Sequence, residues 1–240
     1  MAFDTKTFRT RALTSVVFVV IMLAGLFWNG WSFIILLVLI HFGCWFEFIR
    51  LIKKIKPRTF GYIVPAGLLY ISLPIALLML CGFPDTHAIL YGTSESAWHY
   101  SPLLPCGIIF FIWINDTMAY IVGSFIGKTP LSKISPKKTW EGTIAGIILC
   151  ILAGGFVIGP LLTHFFPQNE AGISFNWFVI AGITGVFSTL GDLLESKLKR
   201  MAQVKDSGSL MPGHGGFLDR FDSLLVVSLF VGLYYIFYIY

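Results

Sequence analysis

Between Ser188 and Ser223, a chain otherwise poor in charge gathers acids, bases and glycines together. Asp192, Glu195, Ser196 and Lys199 are spaced i, i+3, i+4 and i+7, so a helix carries all four on one face. Asp219, Asp222 and Ser223 repeat the first three of those spacings on a second helix. The two are joined by Lys199, Arg200 and Lys205 and then by Pro212-Gly213-His214-Gly215-Gly216, too rich in turn formers to stay helical. Carboxylates at two helix ends, with a basic, Gly-rich loop between them, suit a divalent cation and a phosphate held together. Carboxylate and phosphate oxygens favour Mg²⁺. Gly213, Gly215 and Gly216 can turn backbone N–H groups toward an anion, and the N-terminus of the next helix points the same way. Asp219 and Asp222 would repel a bare phosphate there; a metal ion between them removes the conflict.

A second group lies upstream. Asn115-Asp116 sits inside an apolar run, where a carboxylate costs several kcal/mol unless paired and is a functional hypothesis by default. After it come Gly127-Lys128-Thr129-Pro130 and Ser135-Pro136-Lys137-Lys138-Thr139-Trp140-Glu141-Gly142. Ser135 followed by Pro136 predicts a helix start, with Ser135 as N-cap. Lys137 and Lys138 then fall in the first turn, where the helix dipole disfavours cations. An anionic ligand above the helix end accounts for them; so does membrane orientation, which lysines satisfy anywhere in this loop.

The elements that must position these groups are membrane helices. Hydrophobic residues make up 56% of the chain and charged ones 12%, and the mean hydropathy is +0.81, outside the range of soluble domains. The expected fold is an all-α integral membrane protein, a polytopic bundle of about seven transmembrane helices over 12–28, 31–49, 60–81, 102–123, 142–163, 175–194 and 217–239. It forms a single domain over 1–240, with N-terminal helices in 1–100 and the chemistry-bearing helices in 101–240. The 17 Lys and Arg residues fall at the N-terminus, in 50–58, 128–138 and 197–205, and at Arg220. The alternate loops, 29–30, 82–101 and 164–174, hold none, so the positive-inside rule makes the N-terminus cytoplasmic. The run Lys53-Lys54 with its neighbours reads as orientation and attraction to anionic lipid. His41 and Glu47 read as packing residues with satisfied polar groups. Cys44, Cys81, Cys106 and Cys150 lack metal-site spacing and read as inert. Gly142-x3-Gly146 and Gly155-x3-Gly159 permit close helix contact.

The run Ser196-x-x-Lys199-Arg200-x4-Lys205-Asp206-x-Gly208, continuing through Pro212-x-His214-Gly215-Gly216 to Asp219-Arg220-x-Asp222, resembles the signature of the phosphatidate cytidylyltransferases (CDP-diacylglycerol synthases). Met211 stands where that family more often has Leu, Ile or Phe. The segment around 127–142 is similar to the family's middle motif. The resemblance implies transfer of CMP from CTP to the phosphate of phosphatidic acid, yielding CDP-diacylglycerol and pyrophosphate, and it allows eight or nine spans. It implies CTP and inner-leaflet phosphatidic acid as partners, with no nucleic acid, and is compatible with a homodimer. The expected location is a bacterial cytoplasmic membrane, and the positive-inside topology puts the site on its cytoplasmic side. On that basis Asp192, Asp219 and Asp222 are candidate Mg²⁺ ligands, with Asp116 and Asp206 beside them. Lys137, Lys138, Lys199, Arg200, Lys205 and Arg220 are candidate phosphate contacts. Ser196 either binds phosphate or caps a polar helix face; His214 contacts phosphate, closes the turn or moves a proton. Two other readings remain at this point, a CTP-dependent polyprenol or lipid kinase and an ion-coupled transporter.

Overall fold

A backbone in lipid has no water to bond, so long apolar runs fold as helices that satisfy their own N–H and C=O groups. The computed structural model describes residues 5–56, 58, 60–84, 99–166, 175–208 and 215–239. Its helices are α1 (Thr5–Phe27), α2 (Gly30–Ile55), α3 (Gly61–Gly82), α4 (Leu103–Ile126), α5 (Trp140–Phe165), α6 (Trp177–Met201) and α7 (Leu218–Tyr234). Among the described residues there is no β-strand, and Pro130 and Thr139 form an isolated antiparallel bridge. The expected all-α polytopic bundle is therefore the observed one. Among the described residues, six helices, α2 to α7, are long and apolar enough to cross a membrane. The first expected span is helical too, but its apolar part, Ala12–Phe27, covers only about 24 Å of a ~30 Å hydrocarbon core.

Two helices carry a local defect with a common cause. A π-helical turn interrupts α3 at Leu68–Ser72 and α5 at Gly154–Ile158. Pro74 and Pro160 each lie two residues beyond. A proline has no N–H to donate and crowds the carbonyl four residues back, so the preceding turn widens.

Packing centres on α7, which lies along α6 and α3 and also meets α2 and α4. Ile108 and Phe111 of α4, Ile180 of α6, and Leu225, Val227 and Val231 of α7 are fully buried between them. Val20, Leu39, Phe46, Ile148 and Phe156 face outward, where lipid replaces water as the surrounding medium. Where α4 meets α5, the contact uses the anticipated small residues: a methyl group at Gly142 or Gly146 would press into Ala119.

The two ends of the bundle differ in chemistry. At one, the Tyr100 hydroxyl donates to Leu26 O at 2.7 Å, Ser101 N–H donates to Gly82 O at 2.9 Å, and Phe27 stacks on Phe166. The other end brings together the last turns of α2, the α4–α5 loop, the end of α6 and the start of α7. The basic segments collect there.

Candidate functional site

Two adjoining cavities open at the basic end, and Asp116 and Asp192 line both. The first, about 330 Å³, is walled by α1, α4, α6 and α7. Phe18, Met22, Ile112 and Trp113 form its apolar side, and Asp116, Asp192, Lys199, Asp219, Arg220 and Asp222 its polar side. The second, about 420 Å³, lies among α4, α5 and α6. Its wall includes Ser135, Lys137, Lys138, Thr139, Thr143 and Thr189, and few large apolar groups. Both volumes lie within the roughly 300–1,000 Å³ of small-molecule sites.

The shared carboxylates are held from behind. Asn115 is buried and donates from Nδ2 to Ser188 Oγ at 2.9 Å and more weakly to Asp116 Oδ1 at 3.4 Å. Asp192 forms an ion pair with Lys138 and accepts from Ser196 Oγ at 3.2 Å. That last bond spans one turn of α6, as the i, i+4 spacing predicts. Ser196 thus orients Asp192 and lines neither cavity.

Lys138 reaches Asp192 because the α4–α5 loop is folded differently from the sequence expectation. The helix begins at Trp140 with Thr139 as its cap, Oγ1 accepting from Gly142 N–H at 3.2 Å; it does not begin at Ser135. Cross-loop bonds override the Ser-Pro signal. Leu131 N–H donates to Lys138 O at 2.7 Å and Trp140 N–H to Thr129 O at 3.0 Å, while the Glu141 carboxylate accepts from the N–H groups of Lys128 and Thr129 at 3.2 Å. Ser135–Lys138 forms a turn, closed by Lys138 N–H to Ser135 O at 3.1 Å. Lys138 and exposed Lys137 therefore precede the helix and face the second cavity.

The signature segment folds around Asp219. Its Oδ1 accepts from Lys199 Nζ at 2.7 Å, and its Oδ2 accepts from the N–H groups of Ser207 at 2.9 Å and Gly216 at 2.8 Å. Lys199 also pairs with Glu195 one turn back on α6. The Gly216 N–H expected to face an anion is engaged by a protein carboxylate instead. Gly215 has φ +87°, a left-handed conformation natural to glycine, and a side chain there would crowd Asp219 Oδ2.

One carboxylate at this end comes from outside the expected set. Glu47 of α2 is fully buried, and its Oε2 accepts from Ser207 Oγ at 2.6 Å and Leu218 N–H at 2.9 Å. The sequence expectation of a satisfied polar group holds for that oxygen. Its partners lie 160 and 171 residues away, and no local spacing points to them.

The structure thus unites Asp116, Asp192, Lys199, Asp219, Arg220 and Asp222 at one cavity and Lys137 and Lys138 at the next. Arg200, Lys205 and Asp206 are exposed and line neither. Gly213 and His214 lie outside the described residues. Among the described residues, no three His, Cys, Asp or Glu side chains converge closely enough to form a metal-binding group by themselves. Mg²⁺ commonly needs only one or two carboxylates, the remainder being substrate phosphates and water. Asp116, Asp192 and Asp222 offer carboxylate oxygens, although Asp192 already accepts from Ser196 Oγ and pairs with Lys138; Asp219 has both oxygens engaged by Lys199 and two backbone N–H groups.

Comparison with known proteins agrees with the signature. The profile of the cytidylyltransferase family matches residues 98–238. A phosphatidate cytidylyltransferase of Rickettsia felis is 30% identical over 234 residues, 95% of this chain and 92% of that protein. Phosphatidate cytidylyltransferase 4, chloroplastic, of Arabidopsis thaliana is 45% identical over 146 residues, 60% of this chain and 35% of its own length. A phosphatidate cytidylyltransferase of Staphylococcus haemolyticus is 41% identical over 140 residues, 57% of this chain and 49% of that protein. The chain therefore matches about a third of the chloroplast relative and nearly all of the rickettsial one. With the profile covering more than half of the sequence, including every charged residue that lines the two cavities, the chain belongs to the cytidylyltransferase family.

Proposed function

We propose that the chain transfers CMP from CTP to the phosphate of phosphatidic acid, forming CDP-diacylglycerol and pyrophosphate. One observation carries this reading: Asp116 and Asp192 stand where an apolar-walled cavity meets one lined by lysines and hydroxyls. The lipid substrate suits the first, with its acyl chains along Phe18, Met22 and Trp113 and its headgroup toward Lys199 and Arg220. The triphosphate suits the second, facing Lys137 and Lys138. The names of the relatives and the signature support the same reaction.

A phosphomonoester has a second pKa of about 6, so the attacking oxygen is largely deprotonated at neutral pH. That oxygen bonds to the α-phosphorus of CTP, the α–β anhydride bond breaks, and pyrophosphate leaves with the electron pair. No side chain need remove a proton. The task of the protein is to bring two polyanions together, which Lys137, Lys138, Lys199 and Arg220 do by offsetting charge where it accumulates. One or two of Asp116, Asp192 and Asp222 would hold Mg²⁺ against the phosphates, where the ion would supply charge neutralisation and alignment of the attacking and leaving oxygens. Asp219 we assign to anchoring the loop and Lys199. The positive-inside rule supports a cytoplasmic location for the basic end, and so for the site, with phosphatidic acid drawn from that leaflet of a bacterial inner membrane. A single chain supplies every residue named.

Neither rival gains from the geometry. The acids gather at one end of the bundle among the described residues, and do not mark a route across it. The test incubates purified protein with CTP, phosphatidic acid and Mg²⁺ and identifies the products. Pyrophosphate and a CDP-lipid are expected; CDP with a newly phosphorylated lipid, or no lipid product at all, overturns the proposal.

A further inference from the structure

We propose that Glu47 is a positioning residue for this transfer, holding the signature loop and thereby Lys199 in the geometry the reaction uses; the inference rests on the proposed function. An isolated buried carboxylate is costly unless donors surround it. Glu47 is 0% exposed, and its donors come from Ser207 in the loop between α6 and α7 and from Leu218 at the start of α7. Leu218 is the first residue of α7, so its N–H has no intrahelical partner, and Phe217 before it has no side-chain oxygen to cap the helix. Helix α2 supplies that cap from the other half of the chain.

The glycines of the loop fit the same account. A methyl group at Gly208 would overlap Glu47 Oε1, and one at Gly216 would overlap Glu47 Oε2 and Ser207 Oγ. These two positions lack side chains where the backbone rests on the carboxylate. From Glu47 the contacts run on to the cavity. Ser207 Oγ donates to Glu47 and accepts from Asp219 N–H at 3.3 Å, Ser207 N–H donates to Asp219 Oδ2 at 2.9 Å, and Asp219 Oδ1 holds Lys199 at 2.7 Å. Lys199 lines the apolar-walled cavity. Glu47 Oε1 has no hydrogen-bond partner among the described residues. One oxygen therefore does the holding, and the length of the side chain matters more than its charge.

Three variants of the full-length protein separate reach from charge. Glu47→Gln keeps the length and one carbonyl oxygen. Glu47→Asp keeps the charge but is one methylene short, and Glu47→Ala removes both. Relative to wild type, kcat for CDP-lipid formation should stay within about fivefold for Gln and fall at least about 20-fold for Asp and Ala, the scale of a lost charge-assisted hydrogen bond. KM for CTP should move less than about threefold, since the lysine-lined cavity is untouched and uniform binding is retained. Hydrogen exchange of the 215–220 backbone should quicken at least about tenfold in Asp and Ala, with 103–114 of α4 unchanged, because only the anchored segment opens. An Asp variant more active than Gln, wild-type kcat in all three, or a lost kcat with unchanged exchange at 215–220 each overturns the inference. If Glu47→Ala does not fold, Ser207→Ala takes its place: faster exchange at 215–220 supports the anchor, and unchanged exchange refutes it. Exchange is read independently of turnover, so a wild-type protein that makes no CDP-lipid refutes the proposed function, and with it the catalytic part of this inference, while the anchor is still judged on exchange.

Discussion

Lys199 offers the sharpest separation of structure from chemistry. Its ammonium lies between Glu195, whose side chain is 0% exposed, and Asp219, and is itself 16% exposed. Replacing it by Met keeps most of the stem and deletes the charge. Asp219 retains two donors, the N–H groups of Ser207 and Gly216, so the penalty falls mainly on buried Glu195, which must then bear an unpaired charge or take up a proton. Removing one partner of such a pair costs about 3–5 kcal/mol. A second substitution, Glu195→Gln, takes away the stranded charge and should return most of that stability. Activity should behave differently. Deleting a charge that stabilises the transition state typically costs about 100- to 1,000-fold in turnover, and Glu195→Gln cannot replace a cation at the cavity wall. Thermal unfolding in detergent and turnover per folded molecule, measured for both singles and the double, check the two effects. The reasoning fails if the double variant recovers turnover along with stability, or if Lys199→Met is as stable as wild type.

Asp116→Asn and Asp192→Asn should each lower turnover by at least about 100-fold and raise the Mg²⁺ concentration needed for half-maximal rate, as expected where a metal stabilises transferring phosphate. Asp206→Asn, exposed and off both cavity walls, should stay within about threefold, since it stabilises no transferring charge; equal losses at all three would dismantle the assignment. Gly216→Ala should cost about 1–3 kcal/mol through overlap with Glu47 and Ser207. Gly61→Ala, with nothing within 4 Å of the added methyl, should be neutral or gain up to about 1 kcal/mol in α3. Unfolding midpoints measure both, and a harmless Gly216→Ala would contradict the packing against Glu47.

Several features were legible in the residues because their cause is local. An apolar run in lipid must close its own hydrogen bonds, so hydropathy alone marks the helices. The face shared by Asp192, Glu195, Ser196 and Lys199 follows from helical period, and the Ser196–Asp192 and Lys199–Glu195 contacts realise it. The one-sided basic residues marked the end of the bundle at which the two cavities of the candidate site open. Where local signals competed, reading them singly misled: Ser135-Pro136 is a sound helix start, but the bonds from Glu141 and Trp140 across the loop move the start to Trp140.

The sequence by itself determined an all-α membrane bundle, the family signature and the stock of acids and bases from which the site is built. Only the tertiary structure decided how those groups are divided. It turned Asp219 toward Lys199 and two backbone N–H groups, left Asp116 and Asp192 on the wall common to two cavities, and set Arg200, Lys205 and Asp206 outside both. It also brought Glu47 from the second helix to the start of the last. A carboxylate in an apolar helix states only that it needs donors. Which donors it finds depends on how the helices pack, and that geometry has no counterpart in spacing along the chain.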